Sequence, residues 1–332
     1  MKPATTLSVL VLLILSVTLG GCSAVQPATV LAKSDVPRAN ADPSSASEAG
    51  SAVNAFGLDM FRAIHDQTPG GDIVFSPASI AIALSMARAG ARGETAAKMD
   101  TVLRSLGADD HAAVINAFSQ ALDSRSGTFR DADGKPQELT LTVANATYAQ
   151  RDYAWKQPFL DALASRFGAG VRLVDYVTDP DGARREINGW VADQTKQRIP
   201  ELLEPGIVDQ LTRLVLVNAI YLKAPWQQPF IEEATKPGDF TRADGSAVEV
   251  PMMARTDQMS YAQGDGWQAV ELPYVGDPLA MTIILPDDLD AFVASLDDEA
   301  LGRITSALAP TEIDLTMPRF STETKTDLAD TL

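Results

Sequence analysis

Histidine and cysteine, on which much nucleophilic and metal-dependent catalysis relies, are scarce in this chain of 332 residues. The two histidines are His65 and His111, and the one cysteine is Cys22. A Ser-His-Asp site would have to use one of these histidines, and a single thiol cannot form a thiolate zinc site or an intrachain disulfide. The G-x-S-x-G, G-x-x-x-x-G-K and H-E-x-x-H motifs do not occur. The sequence therefore predicts no catalytic residue, no metal site and no cofactor, and it does not favour an enzyme.

The excess of acidic residues restricts the kinds of partner that this chain is expected to bind. The chain has 44 acidic against 27 basic residues, a formal net charge of -17. Such a surface repels phosphate backbones, so nucleic-acid binding is not expected. Apolar residues make up 45% and charged residues 21%, which is an ordinary globular composition.

The first residues have the pattern of an export signal. Lys2 precedes a nearly apolar run over residues 7–19. This run is shorter than the roughly 20 residues of a membrane-spanning helix, so a signal peptide is the better interpretation. Leu19-Gly20-Gly21-Cys22 resembles a bacterial lipobox, which makes residues 1–22 a lipoprotein signal and Cys22 its lipidated cysteine. An ordinary secretory signal with an incidental cysteine is the alternative. We therefore expect an extracellular protein, lipid-anchored to a bacterial membrane.

Residues 23–50 have the composition of a linker. They are rich in Ala, Ser, Pro and Asp and contain no large aromatic residue. Because such a segment cannot bury enough apolar surface to order itself, we expect a disordered tether. The globular domain would then occupy residues 51–332.

Periodicity within that domain predicts helices first and strands later. Phe56, Met60 and Ile64 form one apolar helical stripe, and Ser76-Pro77 has the form of a helix start. Residues 211–222 read as a strand buried on both faces. An α+β fold with mixed or antiparallel sheets follows. The other predicted helices include one after Gly93-Glu94-Thr95, one containing Phe159 and Leu160, and those over residues 181–197 and 290–308. The other predicted strands include 139–150, 171–176, four or five runs within 240–286, and 312–320.

Eight short motifs, in this order and spacing, resemble those of the serpin family over residues 51–332. They are Phe75-Ser76-Pro77-Ala78-Ser79-Ile80, Gly90-Ala91-Arg92-Gly93-Glu94-Thr95, Ile187-Asn188-Gly189-Trp190-Val191, Leu216-Val217-Asn218-Ala219-Ile220-Tyr221 with Lys223 and Trp226, Met252-Met253, Glu271-Leu272-Pro273-Tyr274, Leu285-Pro286 and Pro318-Arg319-Phe320.

The resemblance implies a fold and a mechanism. Serpins have eight or nine helices around a large mixed or antiparallel central sheet, with smaller sheets beside it. A serine protease, or less commonly a cysteine protease, cleaves an exposed reactive loop and is trapped as an acyl-enzyme when the loop inserts into the central sheet. Serpin loop insertion is a known example of strand addition.

The resemblance also implies roles for particular residues. Ser76, Ser79 and Asn218 would lie at the shutter, where the sheet parts, and Trp226 and Arg319 at the breach, where insertion begins. Local alternatives are that Ser76 is a helix cap, that Asn218 is a buried amide with a fixed partner, that Trp226 is a core aromatic and that Arg319 is a solvated cation.

Two other segments resemble a glycosylation site and a heparin-binding site, but their sequence context does not favour either function. Asn145-Ala146-Thr147 matches a glycosylation acceptor but falls within a predicted strand. Residues 108–135 correspond to the region where some serpins bind heparin, but here the segment is acidic, so we expect no polyanion partner.

The family pattern continues beyond the helix expected after Pro318-Arg319-Phe320, with one more central strand, the hinge and the reactive loop. We therefore expect a chain that is incomplete at its C-terminus, so that the target protease cannot be read from it. We also expect residues 211–222 and 312–320 to lie in one sheet, with either a gap or a direct pairing between them. A non-inhibitory binding or surface protein and an inert remnant are the alternative functions.

Overall fold

The computed structural model describes residues 31–32, 34–105, 108–242 and 244–328. Cys22 and the predicted signal lie outside the described residues. The described part is α+β, as predicted, and contains eight α-helices and ten strands. None of its helices is both long and apolar enough to cross a membrane.

Helices alternate with strands in the first two thirds of the chain, and strands dominate after that. The helices are α1 (Ala46–Gln67), α2 (Pro77–Gly90), α3 (Gly93–Val102), α4 (Ala108–Asp123), α5 (Gln157–Phe167), α6 (Pro180–Gln194), α7 (Leu289–Ser295) and α8 (Asp298–Ala307). The strands are β1 (Leu31–Ala32), β2 (Gly127–Arg130), β3 (Pro136–Gln150), β4 (Gly170–Val174), β5 (Leu214–Lys223), β6 (Lys236–Thr241), β7 (Ala247–Gly264), β8 (Trp267–Pro273), β9 (Ala280–Pro286) and β10 (Ala309–Pro318).

The first sheet is built around the long strand β3. Strand β4 runs parallel to the end of β3 and carries β1 on its far side, and β2 pairs with the first residues of β3. Strand β5 pairs antiparallel with β3 from Thr140↔Lys223 to Ala149↔Leu214. No other strand in the described residues pairs with β5, which is therefore an edge strand of this sheet.

The second sheet is antiparallel throughout. Its strand order is β10-β7-β8-β9, and β6 also pairs with β7. Strand β7 is 18 residues long; its first part pairs with β6 and its last part pairs with β8.

The core lies on both faces of the first sheet. On one face, Val143 and Ala149 of β3 pack with the buried stripe of α1 and with α2, α4 and α5. On the opposite face, Ala146 and Tyr148 pack under α6. The alternation of these β3 side chains is the ordinary alternation of a strand between two layers.

The ordered part of the chain starts earlier than the composition predicts. Helix α1 begins at Ala46, and the Arg38 side chain donates hydrogen bonds to Asn116 Oδ1 at 2.9 Å and to Ser119 Oγ at 3.1 Å on α4. The Ala39 N–H also bonds Ser165 O at 2.8 Å. The expectation of a disordered linker is therefore wrong for residues 34–50, because polar and backbone contacts order a segment that has little apolar surface of its own.

The predicted single helix over residues 290–308 is two helices. Asp288 caps α7 by accepting the Ala291 N–H, and Asp297 caps α8 by accepting the Ala300 N–H. Leu296 between them is extended (φ -77°, ψ 112°). Asp297 is an N-cap, so a new helix begins after it and the first helix ends before it.

The two strands expected to share one sheet lie in different sheets. Strand β5 belongs to the first sheet, whereas β10 pairs with β7 of the second over ten positions from Ala309↔Tyr261 to Pro318↔Met252. Strand β5 is also less buried than predicted, with Leu222 47% exposed, because β5 is an edge. Strand β10 pairs with β7 along its whole length, and these ten consecutive pairs satisfy its backbone groups on that side.

The helix expected after Pro318-Arg319-Phe320 is absent from the described residues, since 319–328 contain neither helix nor strand. This segment is held by local contacts instead. Thr324 Oγ1 donates to Val74 O at 2.7 Å, and Leu328 packs against the core cluster on the α2 side of the first sheet.

Candidate functional site

A chain of side-chain hydrogen bonds crosses the first sheet beneath α2. The Ser79 hydroxyl of α2 donates to Asn218 Oδ1 on β5. Asn218 Nδ2 donates to Asn145 Oδ1 on β3 at 2.8 Å, and Asn145 Nδ2 donates to the Phe167 carbonyl at the end of α5 at 3.1 Å. We call Ser79, Asn218 and Asn145 the sheet network.

The backbone sets this geometry. Asn145 and Asn218 are directly paired in the β3–β5 register, so their amides project from the same face. Ser79 reaches them because α2 starts at a fixed point: Ser76 is its N-cap and accepts the Ser79 N–H at 3.2 Å, with Pro77 at the first helical position. The predicted helix start at Ser76-Pro77 is confirmed.

The structure brings two of the three predicted shutter residues together. Ser79 and Asn218 are hydrogen-bonded, whereas Ser76 joins them through the backbone of Ser79 and acts as a helix cap. Each amide of the network uses one donor and one acceptor in these bonds and keeps further bonding capacity. The arrangement can therefore exchange partners without losing all of its hydrogen bonds.

Asn145 is the member of the network that the motifs did not identify. Its sequence context matches a glycosylation acceptor, but its side chain is half-buried in β3 and bonded on both sides. The available signal was its position in the strand pattern, since Asn145 shares a face with the apolar Val143. A polar residue in that row predicts a buried partner.

Trp226 connects the end of β5 to the second sheet. It forms an isolated antiparallel bridge with Tyr274, and the two rings stack with centroids 4.7 Å apart at 10°. Phe230 meets the Trp226 ring edge-on at 6.4 Å. Burial raises the pKa of Tyr274. Trp226 is thus a packed aromatic at the junction of the two sheets.

Arg319 directly follows the end of β10. Its backbone N–H donates to Pro251 O at 2.8 Å, beside the end of β10, and its side chain is exposed. The Arg319 side chain forms no ion pair within the part of the chain that the structure describes. The breach positions of Trp226 and Arg319 stay a prediction, and the exposed Arg319 side chain has the surroundings of a solvated cation.

The free edge of β5 runs alongside the sheet network. In an antiparallel strand, alternate residues turn their N–H and C=O groups to opposite sides, so half of those of β5 face away from β3. An unpaired edge is a template for another strand. The edge and the network share Asn218, so adding a strand there would change the surroundings of the network.

Helix α6 covers the other face of the same sheet, and its Asn188 amide holds the segment that follows the helix. Asn188 Nδ2 donates to Leu203 O at 2.9 Å, and Asn188 Oδ1 accepts the N–H groups of Leu202 at 3.1 Å and Leu203 at 2.8 Å. Beneath it, Arg172 lies over the ring of Tyr148, 5.7 Å from its centroid. Burial raises the pKa of Tyr148 well above its ordinary value.

Metal-binding clusters are not found in the described ranges: no group of three or more His, Cys, Asp or Glu side chains there could hold an ion. The candidate site is the unpaired edge of β5 together with the sheet network beside it.

Comparison with known proteins gives the family. A family profile described as "Serpin (serine protease inhibitor)" matches residues 51–332. The bovine leukocyte elastase inhibitor is 35% identical over 294 residues, which span 85% of this chain and 75% of the bovine protein. Ipis-1 from the tick Ixodes persulcatus is 32% identical over 286 residues, 83% of this chain and 73% of that protein.

Solved structures of similar fold agree with this family match. Emu (Dromaius novaehollandiae) ovalbumin matches with a TM-score of 0.78 at 26% identity, covering 85% of this chain and 76% of the ovalbumin chain. The structure titled "Cleaved Serpin 42Da" matches with a TM-score of 0.77 at 31% identity, covering 86% and 75%. The fold, the ordered motifs and these relatives agree, and the chain belongs to the serpin family, which is described as a family of serine protease inhibitors rather than of enzymes.

Proposed function

We propose that this protein inhibits a serine protease as a suicide substrate, and that the inserted strand pairs with the free edge of β5. The observation that carries the proposal is the position of the Ser79–Asn218 hydrogen bond beside that edge. The bond ties the edge strand to α2, so it holds the sheet in one arrangement until a strand is added.

The chemistry comes from the protease. Its serine oxygen attacks a carbonyl carbon of the reactive loop, the loop peptide bond breaks, and the new amino terminus leaves while an ester to the inhibitor remains. If the loop then inserts beside β5, the protease is displaced before water hydrolyses that ester. The inhibitor contributes strand pairing, which is why it needs no catalytic residue.

The reactive loop sets the target. In the family pattern this loop follows the Pro318-Arg319-Phe320 segment by a helix and a strand. An elastase-like serine protease is the first candidate, because relatives 35% identical to this chain are named leukocyte elastase inhibitors. A cysteine protease is the second candidate.

The direct test uses a gene product that includes the reactive loop. It is mixed with elastase-, trypsin-, chymotrypsin- and subtilisin-like proteases and run on denaturing gels. We expect a covalent complex with at least one active protease and none with the same protease after its nucleophilic serine is changed to alanine. Clean cleavage of the loop by every protease, without a complex, would instead support a non-inhibitory binding protein.

We further propose that Cys22 is diacylated after removal of residues 1–21 and holds the protein at a bacterial cell surface. The support is Leu19-Gly20-Gly21-Cys22 directly behind the apolar run. Two acyl chains give stable anchoring, whereas one chain gives only marginal binding. The inhibitor would then act on proteases that reach the outside of the cell.

A further inference from the structure

A cavity of about 740 Å³ lies on the α2–α5 side of the molecule, separate from the sheet network. It is formed by the end of α2, the loop after β3, the first turn of α5 and the start of β5. The lining includes Gly90, Arg92, Tyr153, Trp155, Lys156 and Phe159. This volume is within the range of about 300–1,000 Å³ that small-molecule sites occupy.

Three aromatic rings form one wall. The Tyr153 and Trp155 rings have centroids 5.0 Å apart, and those of Trp155 and Phe159 are 6.3 Å apart. The Trp155 indole N–H donates to Gln150 O at 3.3 Å, which fixes the orientation of the ring. Tyr153 remains 52% exposed, a large exposed fraction for an aromatic side chain beside a cavity. The wall therefore offers apolar ring faces in a fixed geometry.

A close approach of α2 and α5 shapes the floor of the cavity. A Cβ atom at Gly90 would lie 3.0 Å from Phe159 Cε2, so the missing side chain at Gly90 is what lets the Phe159 ring sit against the end of α2. The cavity is thus built by a specific contact between α2 and α5.

The charged groups of the lining have one sign. Arg92 and Lys156 are its charged residues, and no carboxylate lines it. Both cations are exposed, and neither forms an ion pair within the described ranges. Arg92 Nη1 donates to Ala89 O at 3.1 Å and Ala91 O at 2.7 Å, so the guanidinium is held at the end of α2. In a chain of net charge -17, a wholly cationic lining is complementary to an anion.

We propose that this cavity binds a small aromatic carboxylate. The planar apolar body would lie against Tyr153 and Trp155, and the carboxylate would face Lys156 and Arg92. Aromatic pairs add to the free energy of area burial, and guanidinium and ammonium groups donate charge-assisted hydrogen bonds to a carboxylate. The site uses none of the residues of the sheet network, although Leu214 at the start of β5 also lines it.

The test measures binding of 2-naphthoate by isothermal titration calorimetry, with the neutral 2-naphthylmethanol as the charge control. We expect naphthoate to bind and the alcohol to bind about tenfold more weakly. Lys156→Gln should weaken naphthoate binding about three- to fivefold at low salt, and added salt should remove this difference. Lys236→Gln, at an exposed position on β6, is the matched control and should bind as the wild type does.

Trp155→Ala should weaken naphthoate binding about tenfold or more. Trp155 also packs against the core, so urea unfolding checks that the Trp155→Ala variant is folded. Lys156→Gln is a second variant, at an exposed site, that leaves the core intact. The proposal is overturned if naphthoate does not bind at millimolar concentration, if the alcohol binds equally well, or if Lys156→Gln and Lys236→Gln bind alike.

Discussion

Ser79 on α2 is hydrogen-bonded to the side-chain oxygen of Asn218 on β5, 139 residues further along the chain. This contact joins a helix of the core to the edge strand of the first sheet. Through Asn145 it continues to β3 and to the end of α5. One serine and two amides therefore couple four elements, and a change at the β5 edge acts on all of them.

Removing Asn218 tests this coupling. Asn218→Ala leaves the Ser79 hydroxyl and the Asn145 carbonyl oxygen without their partner, so we expect the free energy of unfolding in urea to fall by about 1–3 kcal/mol. Asn54→Ala, at an exposed position of α1, is the matched control and should lie within about 0.5 kcal/mol of the wild type.

A double-mutant cycle distinguishes coupling from simple loss of side chains. If Ser79 and Asn218 act together, Ser79→Ala should cost less free energy of unfolding in the Asn218→Ala background than in the wild type, with an interaction of about 0.5–3 kcal/mol. Strict additivity of the two substitutions would show that the hydrogen bond contributes no coupling.

The crossing of α1 and α2 depends on a glycine. A Cβ atom at Gly57 would lie 2.7 Å from Pro77 Cγ, so Gly57→Ala forces the two helices apart. Overpacking of this kind costs about 1–3 kcal/mol of unfolding free energy. Gly50 is in the same helix with nothing within 4 Å of its Cβ position, so Gly50→Ala should stabilise the protein by about 0.5–1 kcal/mol. Equal effects of the two substitutions, measured by urea unfolding, would contradict the close approach.

A buried histidine makes stability depend on pH. His111 is 6% exposed, and its Nε2 lies 2.8 Å from Ser85 Oγ. Burial and the nearby Arg88 lower the pKa of His111, and Asp100 only partly offsets them. The unfolded chain therefore takes up a proton before the folded protein does. Stability is fully present above a pH of about 6.5 and is lost as pH falls below it, by up to about 1.4 kcal/mol per pH unit.

The measurement compares urea unfolding at pH 8 and pH 5.5. His111→Gln should remove the part of the pH slope that the histidine causes, whereas His65→Gln, at the other histidine, should retain it. Because carboxylates also titrate at low pH, the informative quantity is the slope of the wild type minus that of His111→Gln. A difference of zero would show that His111 takes up its proton equally well when folded.

The sequence predicts the local elements around the network better than their assembly. Ser76-Pro77 identifies the start of α2, and the strands of Asn145 and Asn218 were both predicted. Their mutual register was not predictable, because it joins residues 73 positions apart in the chain and depends on the pairing of whole strands. This is why the sequence alone indicates only a glycosylation motif at Asn145.

Two other differences between the predicted and the observed structure also come from contacts between residues far apart in the chain. Residues 34–50 lack an apolar period, yet Arg38 orders them by reaching α4, a contact between residues 78 positions apart. The placement of β10 with β7 depends on a long antiparallel register that no local pattern encodes. Local propensity thus predicts the elements, and long-range pairing decides which of them meet.

The proposed lipid anchor predicts a simple change of location. Cys22→Ser removes the sulfur to which the acyl chains would attach, so the protein should leave the membrane fraction or accumulate as an unprocessed precursor. Fractionation followed by mass spectrometry of the N-terminal peptide distinguishes these outcomes. If the Cys22→Ser variant stays in the membrane fraction as the wild type does, the protein is not held by a lipid on this residue.

Strand addition at β5 is the central claim, and hydrogen–deuterium exchange of the β5 amides tests it most directly. The probe is an acetylated ten-residue peptide of alternating Thr and Val, matched to the ten residues of Leu214–Lys223, and its control has Pro at alternate positions and cannot donate to a ladder. We expect the Thr/Val peptide to slow exchange of the β5 amides that face away from β3 and to raise the melting temperature, while the Pro peptide does neither. Unchanged β5 exchange with the Thr/Val peptide, under conditions where it is soluble and in excess, would contradict the claim that this edge accepts a strand.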